Sequence, residues 1–187
     1  MIKQNINSDS YKHYPMDDNG LLTESYEPGD FVLIRHTNVG FDFIDKCIAF
    51  GQSLRFKGAE KSYTHAALLI GNDGSIIEAL AEGVKRNNIS KYKGFDFTLV
   101  KINASQADRE EMVDFAVSCL GDGYGWSTIL SIALSLLTGL KFSFGFDGTE
   151  ICSGLVASAL FKTTAIFPRD PSHITPADLA SYYSVVS

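Results

Sequence analysis

The chain has 187 residues, close to the size of one domain and long enough to bury a sizeable core, so two full domains are not expected. Hydrophobic residues make up 45% and charged residues 20%, which excludes a disordered, collagenous or coiled-coil chain. With 16 basic against 22 acidic side chains, a formal charge of −6 and no Lys/Arg block, nucleic acid is not an expected partner.

Residues 1–27 are mostly polar and read as an N-terminal extension, with 28–187 as a single domain. The start lacks the apolar stretch of a Sec signal peptide, so the expectation is a chain that is cytoplasmic when made. Glu27-Pro28-Gly29-Asp30 then reads as a turn feeding a strand, Phe31-Val32-Leu33-Ile34. From Phe41 to Lys57 the apolar positions Phe43, Ile44, Cys47, Ile48 and Leu54 follow helical spacing, and Gly58 stops the run. Arg55, Lys57 and Lys61 beyond it read as a solvated face.

His65–Ile70 and Ser75–Ala79, joined by Gly71-Asn72-Asp73-Gly74, form the clearest hairpin. Phe97–Ile102 predicts a further strand. Ser105-Gln106-Ala107-Asp108 has capping-box spacing and opens a helix whose apolar face is Met112, Phe115, Ala116, Cys119 and Leu120, with Gly121 as its end. Trp126–Leu140 is apolar but shorter than the roughly 20 residues of a membrane span, and Ser127, Ser131 and Ser135 recur every fourth residue. It reads as a buried helix, and membrane contact is not favoured. Cys152–Phe161 has helical composition, and Thr175-Pro176-Ala177-Asp178 starts a last helix with proline at its first position. The expected class is α+β, with a small antiparallel sheet from the first half packed against helices.

Three cysteines, Cys47, Cys119 and Cys152, are too few for a disulfide framework, and no C-x-x-C pair suggests zinc or redox chemistry. No metal or cofactor is expected. Cys152 stands in the first turn of its helix, where the macrodipole favours a thiolate, although a lone cysteine more often simply packs. Of the four histidines, His65 at a strand end is the best placed base; His13, His36 and His173 are weaker rivals. A two-residue turn at Asn72-Asp73 or a four-residue loop from Gly71 to Gly74 pairs Leu69 with Ile76 and Ala67 with Glu78, which makes His65 and Glu78 diagonal neighbours on one face. A three-residue loop would shift the register by one and turn Glu78 to the opposite face.

Pro28-Gly29-Asp30, Tyr63-Thr64-His65-Ala66-Ala67, Ile77-Glu78-Ala79, Gly123-Tyr124-Gly125-Trp126, Cys152-Ser153-Gly154-Leu155-Val156 and Ile174-Thr175-Pro176-Ala177-Asp178-Leu179 together resemble the circularly permuted NlpC-like branch of papain-fold cysteine peptidases. The resemblance spans Pro28 to Leu179 and implies Cys152 as nucleophile, His65 as base and Glu78 as the polar third member. Many permuted members have Glu where this chain has Gly154, so Cys-Ser-Gly-Leu-Val looks more like the unpermuted cell-wall hydrolases. The resemblance implies acyl transfer on an amide or ester substrate, foremost a peptidoglycan stem peptide, with Tyr63 and Tyr124 as core aromatics rather than cleft lining. Without a Sec signal, such an enzyme fits an antibacterial effector delivered to a target-cell periplasm by a signal-independent route such as type VI secretion, with an immunity or secretion-apparatus protein as partner. Two alternatives stay open: a lipid-directed enzyme of the lecithin:retinol acyltransferase type, for which Trp126–Leu140 would supply an acyl pocket, and a non-catalytic binding module on the same scaffold.

Overall fold

Glu27, Pro28 and Gly29 turn the chain into its first strand, and the leading carboxylate of that strand closes the turn. Asp30 Oδ2 accepts from the Glu27 N–H at 2.9 Å, while Gly29 takes a φ of +93°, a conformation that side chains resist. The computed structural model describes residues 16–18, 20, 22–35, 62–80, 83–121, 123–124, 149–150, 152–163, 171 and 174–185. The strand is β1 (Phe31–Arg35), followed by β2 (Tyr63–Leu69), β3 (Ser75–Leu80), β4 (Gly83–Asn88) and β5 (Asp96–Val100). They form one antiparallel sheet in the order β4-β3-β2-β1-β5. A 3-10 helix, Ile89–Tyr92, links β4 to β5. Then come α1 (Gln106–Ser118), a parallel pair of two-residue strands β6 (Gly123–Tyr124) and β7 (Thr149–Glu150), α2 (Cys152–Lys162) and α3 (Pro176–Tyr182). The architecture is α+β, an antiparallel sheet with helices.

Apolar residues run without a break through Phe31–Ile34 because both faces of the sheet are covered. Phe31, Leu33, Ala66, Leu68 and Ile77 pack toward the helices, with Met112, Ala116, Leu155, Leu160 and Leu179 among their neighbours. Val32, Ile34, Ala67, Leu69, Ile76 and Leu99 form a second cluster on the other face. There Ile89 and Tyr92 of the 3-10 helix cover them, with Met16, Leu22 and Tyr26 at the margin. Part of the N-terminal extension therefore packs on the sheet, and the Tyr26 hydroxyl accepts from the Gly74 N–H at 2.8 Å. Burying each large aliphatic side chain contributes about 1.5–3 kcal/mol relative to exposure.

The hairpin has the four-residue loop. Ile70 N–H donates to Ser75 O at 2.9 Å, Asp73 Oδ1 accepts from Ser75 N–H at 3.0 Å, and Leu69 pairs with Ile76. Gly74 sits at φ +79°, where a Cβ would also meet Ile89 at 3.0 Å. Both capping boxes are present. Ser105 Oγ accepts from Asp108 N–H and Asp108 Oδ2 from Ser105 N–H, each at 3.2 Å. Thr175 Oγ1 accepts from Asp178 N–H at 3.2 Å and Asp178 Oδ2 from Thr175 N–H at 3.0 Å. Each cap is worth about 1 kcal/mol.

Four elements differ from the sequence reading. The strand expected over 97–102 is Asp96–Val100, because the Ile102 N–H turns to Asp30 Oδ1 at 3.0 Å instead of continuing the ladder. The α1 helix ends at Ser118 with Cys119 as its C-cap, and Gly121 takes the left-handed conformation two residues later. Strand β4 and the 3-10 helix were not anticipated: Lys85, Arg86, Asn87 and Asn88 make β4 polar, as its place at the sheet edge permits. The helices expected over 41–57 and 126–140 lie outside the described residues, as do Cys47, Arg55, Lys57, Lys61, His13, His36 and His173.

A buried ion pair ties the first turn to α1. Arg109 Nη1 donates to Asp30 Oδ1 and to Pro28 O, both at 2.9 Å, and Nη2 reaches Ile102 O. Both side chains are buried. Removing one partner strands the other charge inside the fold, so Asp30→Ala is expected to cost about 3–5 kcal/mol. Urea denaturation of the two chains side by side checks this, and a loss below about 1 kcal/mol would rule the strut out as a main support.

Candidate active site

His65 lies on β2, the central strand, where it pairs with Ile34 of β1. Ile34 pairs with His65 while Arg35 pairs with Tyr63, so Thr64 is the extra residue of a bulge immediately before the histidine. Glu78 lies on β3. The observed pairing of Leu68 with Ile77 and Leu69 with Ile76 makes His65 and Glu78 diagonal neighbours on the face of Ala67 and Ile76. Their side chains meet, with His65 Nε2 and Glu78 Oε2 2.6 Å apart.

Glu78 is 0% exposed, unlike a solvent-facing strand carboxylate, and every acceptor position it has is used. Oε2 also accepts from the Tyr92 hydroxyl. Oε1 accepts from Asn87 Nδ2 at 2.8 Å and from Lys91 Nζ at 2.6 Å. Burial by itself would raise the carboxyl's pKa. The hydrogen bond and charge of His65, followed by the bonds from Lys91 and Tyr92, outweigh it and bring the group down to about 2.

An ionised carboxylate only accepts, so the proton of the 2.6 Å contact belongs to His65 Nε2. Nδ1 is then the nitrogen left for Cys152, whose side chain acts on the charge of the ring. Burial opposes a charge on this imidazole. The negative charge of the cysteine and its hydrogen bond, then those of Glu78, overcome that and raise His65 to about 10. Cys152 is the first residue of α2, 2% exposed and free of any disulfide.

The start of α2 is fixed by its neighbours. The helix packs on β2 and β3 and against α1 and α3. Ser153 Oγ donates to Ile174 O at 2.7 Å, which ties the cysteine's own turn to the segment that leads into α3. Cys152, His65 and Glu78 therefore come together from three separate elements, with His65 bonded to Glu78 and interacting with Cys152. Chemically, such an arrangement holds a sulfur nucleophile beside a nitrogen that exchanges protons, with the ring's tautomer set from behind.

Sequence reasoning missed Asn87, Lys91 and Tyr92, which surround Glu78. Their signal is faint: only Asn88, which accepts from the Ser90 N–H at 3.0 Å, marks the start of a helical turn. Tyr63 is a core residue, 1% exposed, whose hydroxyl meets Thr98 Oγ1 at 2.7 Å and accepts from Arg35 Nη2 at 2.9 Å. No helix among the described residues is long and apolar enough to cross a membrane. Set against known proteins, the chain matches no family model and no curated protein.

Proposed function

We propose that the chain is a cysteine hydrolase working through an acyl-enzyme, with Cys152 as nucleophile, His65 as proton carrier and Glu78 as the group that orients the ring. The observation that carries this reading is His65 bonded to a wholly buried, four-donor carboxylate, with Cys152, the first residue of α2, interacting with the same ring. Perturbed titration of neighbouring buried groups is the pattern that catalytic pairs show. The motifs along Pro28–Leu179 support a papain-like fold of the permuted NlpC type, with a peptidoglycan stem peptide as substrate and delivery as an antibacterial effector as its setting.

In the first half-reaction the Cys152 sulfur bonds to the amide carbonyl carbon, whose oxygen takes up the negative charge. The N–H groups opening α2, that of Cys152 included, face that charge with the positive end of the helix. His65 Nδ1–H gives its proton to the leaving amine as the C–N bond breaks, leaving a thioester. In the second, Nδ1 takes a proton from water, the oxygen adds to the thioester, and the carboxylic acid departs as the sulfur regains its negative charge. Glu78 keeps its charge throughout, because its four donors leave no lone pair for a further proton.

The test is mass spectrometry of purified peptidoglycan fragments after incubation with the wild-type chain and with Cys152→Ala, beside a panel of lipid esters. Stem-peptide products that vanish in the variant are expected. Cys152-dependent acyl release from lipid, with muropeptides untouched, would replace the peptide substrate by a lipid one. Silence on both would sink the hydrolase reading for these two substrate classes.

A further inference from the structure

The four donors on Glu78 exceed what is needed to aim a histidine. Orienting the ring takes one carboxylate oxygen; here both are gripped, and two of the donors, Lys91 and Tyr92, are neighbours on the 3-10 helix. We propose that Lys91 and Tyr92 are positioning residues for the acyl-transfer site, holding the Glu78 carboxylate pointed at His65. This rests on the reading of Cys152 and His65 as nucleophile and base.

The 3-10 helix is built as a fixed platform. Ile89 N–H donates to Gly74 O at 2.8 Å, and Asn88 Nδ2 donates to Asp73 O at 2.9 Å, so the hairpin turn sets its position. Tyr92 is buried, its ring 5.9 Å from that of His65 and 5.9 Å from that of Phe95, and the Lys91 ammonium lies 5.0 Å from the Tyr92 centroid. The Lys91 side chain is 37% exposed, yet its ammonium ends 2.6 Å from a carboxylate that has no exposure. Ion pairs of half-exposed lysines add little to stability, so the consequence of this one lies in the carboxylate's charge and direction. Among the described residues, the titratable and charged groups facing Glu78 are His65 from β2, Lys85 opposite it on β4, Lys91 and Tyr92 from the 3-10 helix and, across the imidazole, Cys152 from α2.

The test uses the full chain with Lys91→Met, Lys91→Arg and Tyr92→Phe, and has two readouts that need no substrate. One is the native-state titration of the Glu78 carboxyl carbon by NMR. The other is the rate at which iodoacetamide alkylates Cys152. Losing one donor is expected to raise the Glu78 midpoint by about one unit and, because a loosened carboxylate no longer aims the ring at the sulfur, to slow alkylation at neutral pH roughly tenfold in Lys91→Met and in Tyr92→Phe. Lys91→Arg, which keeps charge and donors, returns both readouts toward wild type. A merely structural role would lower the melting temperature and leave the native midpoint where it was. Unmoved midpoints and rates in folded Lys91→Met and Tyr92→Phe, with wild-type Cys152 reacting readily, would overturn the positioning role alone. A wild-type Cys152 that resists iodoacetamide would instead overturn the catalytic reading beneath it.

Discussion

Cys152→Ala and His65→Ala are each expected to lower turnover by about 10⁴-fold or more, and the double variant to lose little beyond either single one. The reason is that neither group acts alone. Without its sulfur the site has no nucleophile, and His65 has nothing to serve. Without the imidazole no group among the described residues is placed to protonate the leaving amine. The losses therefore overlap instead of multiplying, as happens for residues that share one transition state. Measuring kcat/KM for the three variants on the substrate whose cleavage mass spectrometry identifies checks this. A double variant that loses the product of the two single losses would show that the residues work independently and would break the unit apart.

The second large effect concerns pH and Glu78. His65, raised to about 10, stays charged far above the ordinary histidine range, so hydrolysis is expected to hold through pH 9 and to fall near 10 as the ring loses its proton. For stability, a group raised in the folded state contributes fully below its unfolded value. The contribution of His65 is thus complete below about 6.5 and lost as pH rises toward about 10. Glu78 runs the other way: its contribution is complete above 4.5 and lost as pH falls toward about 2. Both are fully present between 4.5 and 6.5, where these two groups place the highest melting temperature.

Glu78→Gln is expected to lower turnover by about 10²–10⁴-fold and to move the alkaline fall to lower pH. A glutamine offers one accepting oxygen and one donating amide to four donors. Whichever way it turns, either the His65–Tyr92 pair or the Asn87–Lys91 pair faces an N–H. The loss of negative charge removes one of the two partners that favour a charged ring, while Cys152 remains as the other. Rate profiles from pH 5 to 11 for the two chains decide the matter. Superimposable profiles would show that the carboxylate neither charges nor directs the histidine.

Much of this arrangement was legible in the sequence, because it depends on local rules. Turn chemistry at Gly71–Gly74 marks the hairpin and narrows its register to two choices, one of which puts His65 and Glu78 on one face; the observed pairing of Leu69 with Ile76 is that one. The capping residues Ser105 and Thr175 likewise announce helix starts that depend on only four consecutive residues. What stayed hidden is non-local. Lys85, Arg86, Asn87 and Asn88 carry no apolar alternation, since an edge strand gains its place from the strand beside it. Lys91 and Tyr92 belong to a single short turn whose position is set by the Asn88–Asp73 and Ile89–Gly74 contacts, each across 15 residues of chain. The meeting of α2 with β2 depends on packing between segments far apart in the chain, for which spacing gives no measure.

The four residues Gly71, Asn72, Asp73 and Gly74 touch no reacting group, and surface loops ordinarily accept insertions at small cost. Here the same turn sets the phase of β3 against β2 and anchors the helical turn that grips Glu78. Adding a single residue would leave composition, charge and most of the core unchanged, yet it would rotate the carboxylate away from the imidazole. On the proposed reading, a peripheral, polar segment thus sets the alignment of the groups that would exchange the proton, and loop length in this hairpin becomes a determinant of rate.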